Sequence, residues 1–388
     1  MSVKRRASVL AIAAAGILAV SACSSSSSSS PSASGGGASA STGGTIQIGV
    51  LADETGAVSA YGLPQLNGTR LAAAQINASG GINGKKIVLN VQDTTSSPTQ
   101  AATLFRGMSG DAAVVLCGTS GELLSLAPLA ESLKIPVIAD SSFDKFAAGQ
   151  LNDYTFHAAS TETNGILALF QQLIKSHPFK RLALINDSSN AFPVAEATAI
   201  KSIASQVGFT VVAATTAATT ATDLTTQIDQ IKSSNPDMIW DGLIGANASA
   251  IMKDMRNVGV QAPFVGGQTI ATPSIFQLAG TASTGSYTWT SYLPGTPRAA
   301  IDNFDTAYTT AYKTAPNEYS AFGYAGMQVV TQAIKNANST ESSKIRDALA
   351  NLTVSTVAGQ IEFQGGPYNV ANNWILVQWD GSAFKAVS

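Results

Sequence analysis

Apolar and polar positions come in alternating blocks, and the blocks predict strands and helices in turn. Ile46, Ile48 and Val50 fall at every second position, the spacing of a strand with one face inward. A polar loop spans 52–62. Pro64 then opens a helix that runs to about 78 and stops at Ser79-Gly80-Gly81. Asn83-Gly84 turns the chain into a strand over 86–92, and Pro98 opens a helix with Ala101, Leu104, Phe105 and Met108 inward. The most informative stretch is 113–143. An unbroken apolar run, 113–117, stops at Gly118-Thr119-Ser120-Gly121. A helical pattern follows with Leu123, Leu126, Leu129 and Leu133 on one face, and a second apolar run, 135–139, stops at Asp140-Ser141-Ser142. Runs apolar on both faces suit buried parallel strands.

The alternation continues with helices over 161–175, 191–207, 224–232 and 246–258, and strands over 181–185, 209–213, 238–240 and 263–265. Strands and helices in this rhythm predict an α/β fold with doubly wound parallel sheets. Residues 297–351 read as helices only, and strands return at 360–363 and 374–379. A long helical segment followed by returning strands predicts two lobes, with the chain crossing between them more than once. The region from 45 to 388 is longer than one core usually holds, which agrees.

In open α/β sheets, ligands sit beyond the carboxyl ends of the strands. The turns at 118–121 and 140–143 lie at such ends. The first opens a helix, whose free N–H groups and dipole favour an anion. This predicts half of a site for a small carboxylate. Gly, Ser and Thr also serve as ordinary turn and N-cap residues, so the turn by itself supports either role.

Composition removes other classes. Charged residues make up 12% of the chain and the net charge is −2, so there is no basic surface for nucleic acid. The dinucleotide and phosphate-loop glycine motifs are absent, and Gly118-Thr-Ser-Gly lacks a residue of the hydrolase nucleophile elbow. His157 and His177 are the only histidines, and no His, Cys or Asp grouping has metal-ligand spacing. No enzyme, cofactor or metal is expected. The two cysteines are Cys23 and Cys117, and Cys117 reads as core packing.

At the N-terminus, Lys4, Arg5 and Arg6 precede an apolar run, 9–20, too short to span a bilayer. Val20-Ser21-Ala22-Cys23 resembles the bacterial lipobox. That resemblance implies a signal peptide over 1–22 and a lipid on Cys23. Residues 24–44 are Ser, Ala, Gly and Thr with one Pro and no charge, the composition of a flexible tether. The protein is thus expected on the outer face of the cytoplasmic membrane of a bacterium, held by its lipid.

Ile48-Gly-Val-Leu51, Thr55-Gly56, Tyr61-Gly62, Asn67-Gly68, the run Gln75-Ile-Asn-Ala-Ser-Gly-Gly-Ile-Asn-Gly-Lys85 and Asp93 resemble the opening of the branched-chain amino-acid binding proteins. These are type I periplasmic binding proteins serving ABC importers. The resemblance implies two doubly wound lobes joined by three crossovers, an N-lobe of 45–157 and 290–354, and a C-lobe of 158–289 and 355–388. It also implies partnership with ABC permease and ATPase subunits; the same fold can instead act as a sensory module for an aromatic or short-chain acid or an amide. Carried over residue by residue, it assigns the ligand carboxylate to Thr119 and Ser120, and the second turn to Ser141, Ser142 and Phe143. Tyr61 and Phe192 become cleft aromatics, Asp241 and Ile244 lie in a C-lobe loop, and Gln268 stands where the family carries a Glu that holds the ligand ammonium. An amide there carries no charge, so either Asp241 (the first choice), Asp53 or Glu54 meets the ammonium, or the ligand has none and is a neutral-tailed acid, an aromatic acid or an amide.

Overall fold

The computed structural model describes residues 44–140, 149–296 and 302–387. The strands are β1 Thr45–Ala52, β2 Lys86–Asp93, β3 Val114–Cys117, β4 Val137–Ala139 and β5 Thr155–Ser160, then β6 Arg181–Asp187, β7 Thr210–Ala217, β8 Met238–Gly242, β9 Phe264–Val265 and β10 Tyr287–Thr290. The chain ends with β11 Thr353–Thr356, β12 Gly359–Glu362, β13 Tyr368–Asn369, β14 Ile375–Trp379 and β15 Phe384–Ala386. The helices are α1 Ser59–Ala78, α2 Pro98–Met108, α3 Ser120–Leu133, α4 Glu162–Ser176, α5 Ala191–Val207, α6 Thr225–Ser233, α7 Ala246–Asn257, α8 Pro273–Ala279, α9 Asp302–Tyr312, α10 Glu318–Ala337 and α11 Ser342–Ala350.

The strands build two main sheets. The first has the order β13-β5-β4-β3-β1-β2 and is parallel throughout. The second has the order β15-β14-β10-β9-β8-β6-β7; it is parallel from β7 to β10 and antiparallel at β14 and β15. Each sheet runs outward in both directions from its first strand, so each has a switch point, at β1/β3 and at β6/β8. All four residues of β3 and all five of β8 are buried, as their apolar composition requires when helices cover both faces.

Strand membership moves the lobe boundaries. The junctions 157/158, 289/290 and 354/355 fall inside β5, β10 and β11. A strand stays with one sheet along its length, so the chain leaves the first sheet after Ser160, returns after Thr290 and leaves again after Asn369. The β11–β12 hairpin packs beside β5 and α10 in the first half. Buried Thr155, His157 and Ser160 gave β5 no apolar signature in the sequence. His157 lies fully buried in β5, and burial lowers its pKa to about 4. Cys117 is buried at the end of β3, and burial pushes its thiol well above the ordinary range, as befits a core residue. Among the described residues, no helix is long and apolar enough to cross a membrane.

Candidate functional site

The carboxyl ends of β1 and β3 and those of β6, β8 and β9 border one pocket, partly open to solvent, with about 500 Å³ of empty space. From the first half come Asp53 and Val58 after β1, Tyr61, Gly62 and Gln65 on α1, Gly118 to Ser120 after β3, and Tyr319 on α10. From the second half come Asn190 and Phe192 after β6, Ile244 after β8 and Thr269 after β9. Both switch points thus feed the same space, the place where open α/β sheets bind ligands. Val58, Tyr61, Phe192, Ile244 and Tyr319 give it a largely apolar wall.

Local sequence explains the placement. Thr119 is the N-cap of α3: its hydroxyl accepts from Glu122 N, and Glu122 Oε2 accepts in return from Thr119 N and Gly118 N, both at 3.2 Å. Ser120 is the first helical residue, 5% exposed on the cavity wall. Asn190 caps α5, its Oδ1 accepting from Phe192 N, which sets the Phe192 ring at the cavity. The Tyr61 and Tyr319 rings stack with centroids 4.8 Å apart. Tyr61 Oη donates to Thr269 O at 2.7 Å and accepts from Gly245 N at 3.2 Å, and Tyr319 Oη donates to Gln268 O at 2.7 Å. Two phenols of the first half therefore bind the backbone of the second. Thr269 Oγ1 is buried on the wall without a hydrogen-bond partner.

Of the residues singled out from sequence, Tyr61, Thr119, Ser120, Phe192 and Ile244 line the cavity. Ser141, Ser142 and Phe143 lie outside the described residues, as does Cys23. Asp241 and Gln268 are fully buried but are not among the lining residues. Asp241 Oδ1 accepts from Leu243 N at 3.1 Å. The Gln268 amide donates to Trp289 O at 3.1 Å and approaches Glu318 Oε1 at 3.4 Å. The acid that does reach the wall is Asp53, second to Asp241 in the sequence reading. Its Oδ1 accepts from Thr94 Oγ1 at 2.7 Å, and burial raises its pKa. Sequence reasoning missed Val58, Gln65, Asn190, Thr269 and Tyr319. The N-cap signal of Asn190 ahead of α5 was there to be used; Tyr319 stands in a helix far along the chain with no local mark. Among the described residues, no group of three His, Cys, Asp or Glu side chains is disposed to hold a metal.

A two-sheet α/β fold with a cavity between paired switch points defines a ligand-binding protein of the two-lobed kind. The profile of the family described as "Periplasmic binding protein" matches residues 45–384, and the chain belongs to that family: it is a substrate-binding protein and not an enzyme. It is 24% identical over 340 residues to a Leu/Ile/Val-binding protein homolog of Brucella melitensis, covering 86% of this chain and 91% of that protein. Among solved structures it resembles the branched-chain amino acid transporter substrate-binding protein LivJ of Streptococcus pneumoniae in complex with isoleucine, at 23% identity and a TM-score of 0.79 over 88% of this chain and 98% of that one. It also resembles an ABC-transporter solute-binding protein of R. palustris in complex with benzoate, at 20% identity and a TM-score of 0.78 over 89% and 96%. The fold is that of the type I periplasmic binding proteins.

Proposed function

We propose that the chain is the extracytoplasmic substrate-binding subunit of an ABC importer, and that it captures a small amino acid or close analogue by hinge closure. The observation that supports this best is the cavity between the two switch points, with an apolar wall for a side chain and a few polar groups for a head group. The relatives named for leucine, isoleucine and valine favour an apolar amino acid. Closure follows if the ligand has higher affinity for the state in which both halves touch it. A thermal-shift series over aliphatic and aromatic amino acids, their amides, short-chain acids and benzoate tests the reading. A true ligand at a hundred times its dissociation constant adds about 2.7 kcal/mol. A series in which none of these raises the melting temperature sinks it.

Ser120 is assigned to the head group of the ligand. Its replacement by alanine leaves Thr119, the actual N-cap, in place, so the unliganded protein should melt nearly as before. A lost hydrogen bond to a charged group costs roughly 1.5–3 kcal/mol, about ten- to a hundredfold in affinity. An unchanged dissociation constant for Ser120→Ala assigns Ser120 to helix packing instead.

The same proposal includes attachment to the outer face of the membrane through a lipid on Cys23, with permease and ATPase subunits as partners. Cells fed a labelled fatty acid should label the native chain and leave Cys23→Ser unlabelled. Equal labelling of both removes the anchor.

A further inference from the structure

Resting on the small-ligand reading above, we propose that Asp53 holds a positively charged group of the ligand, so that the substrate must carry an ammonium or a related cation. Among the described residues, the lining supplies no Lys, Arg or His; its ionisable side chains are Asp53 and the phenols of Tyr61 and Tyr319. The groups behind the wall are carboxyls as well. The Glu122 carboxyl neighbours that of Asp53, while Asp241, Asp187 and Glu196 act on the Tyr61 hydroxyl from the second half. Among the described residues, a bare anion entering this space meets no basic side chain, and a buried charge without an opposite partner is costly. The strongest local anion site, the N-terminus of α3, is already used by the chain: Glu122 Oε2 takes the N–H groups of Gly118 and Thr119.

Asp53 is placed for the task. It is 2% exposed and borders the cavity. Thr94 holds its Oδ1, and its Oδ2 lies beside Gly118, 3.1 Å from where a Cβ would stand. A side chain at Gly118 would crowd that oxygen. The stacked rings of Tyr61 and Tyr319 and the Phe192 ring line the same space, and aromatic faces attract cations. Gln268, which stands where the resemblance puts an ammonium-holding Glu, gives its amide to Trp289 O and Glu318. Recognition of the cation thereby moves from the second half to the first.

The pair has a consequence for pH. Burial, and then the charge of Asp53, raise the Glu122 pKa to about 8, and the Glu122 side chain hydrogen-bonds that of Asp53. Among the described residues, the other groups acting on the pair are Asp93 at the end of β2 and Cys117 at the end of β3; neither is basic. At neutral pH the pair therefore keeps one proton. A cation at Asp53 favours the ionised form of Glu122, so binding releases protons below about pH 8, and affinity falls as pH drops through that value.

Calorimetry on the unaltered protein with two series tests this: leucine, 4-methylpentanoate and 3-methylbutylamine, and phenylalanine, 3-phenylpropanoate and 2-phenylethylamine. The amino acid of the binding series should exceed its deaminated acid by about tenfold or more and release protons at pH 7, read from two buffers of different ionisation heat. Asp53→Asn should remove both the preference and the proton release while the unliganded protein still melts cooperatively. A deaminated acid that binds as tightly as its amino acid overturns the assignment of Asp53 but leaves a small-ligand binder. Binding by no member of either series overturns the small-ligand reading and the assignment together. The comparison of ligands on the unaltered protein needs no variant to fold.

Discussion

Gly323→Ala should destabilise the unliganded protein by about 2–3 kcal/mol, among the largest losses for a single added methyl group. The reason is the crossing of α1 and α10, where Gly68 and Gly323 let the two backbones approach closely. A Cβ on Gly323 would lie 1.9 Å from the carbonyl oxygen of Gln65, and a Cβ on Gly68 would lie 1.9 Å from the carbonyl oxygen of Ser320. Both obstacles are backbone, which cannot swing aside as a side-chain end does. The helices must separate, and with them go the bonds from Thr69 Oγ1 to Gly323 O and from Tyr324 Oη to Gln75 Oε1. The loss reaches the site as well, because α1 carries Tyr61 and Gln65 and α10 carries Tyr319. Gly107→Ala is the control. It sits on the exposed side of α2 with nothing within 4 Å of an added Cβ, and alanine there should stabilise by up to about 1 kcal/mol. Denaturant titration of both variants decides. Equal stability of Gly323→Ala and the native chain would mean that the two helices are not packed this closely.

Much of this architecture was legible because parallel strands buried on both faces leave unbroken apolar runs, as at 113–117 and 135–139, each followed by a small polar turn. The position of the site followed from the same fact, since those turns mark the carboxyl ends of strands. β5 and β10 were not legible. Thr155, His157, Ser160, Thr288 and Thr290 are polar yet buried, and they break the pattern that marks a strand. The lobe boundaries drawn from resemblance cut through β5, β10 and β11 for that reason. Side-chain direction was the other gap. The resemblance put Asp241 in a C-lobe loop and Gln268 at the ammonium position, but Asp241 lies in β8, where burial on both sides hides which residues face the cleft, and both side chains are turned to protein atoms. Asp53 was visible as an acid in a loop, but its priority over Asp241 depends on which loop meets the cavity, and that is a property of the closed fold.

Tyr61→Phe should weaken ligand binding by roughly ten- to a hundredfold while changing the melting temperature of the unliganded protein little. The Tyr61 hydroxyl reaches from α1 to two backbone groups of the second half, donating to Thr269 O and accepting from Gly245 N. Burial pushes its pKa above that of an ordinary phenol, so it is a neutral donor throughout the physiological range. Removing it strands a carbonyl and an N–H in the closed state, at about 1–3 kcal/mol. In an open state both groups meet water and the cost disappears. The substitution therefore acts on closure, and the apparent dissociation constant rises in proportion as the closed fraction falls. The ring stays, so its contact with Tyr319 and the apolar wall are kept. Tyr319→Phe removes a second bond of the same kind, to Gln268 O, and should act in the same direction. Small-angle scattering should show both variants more open than the native chain without ligand and equally compact at saturation. A Tyr61→Phe protein that binds as tightly as the native chain would show that this hydroxyl plays no part in holding the two halves together.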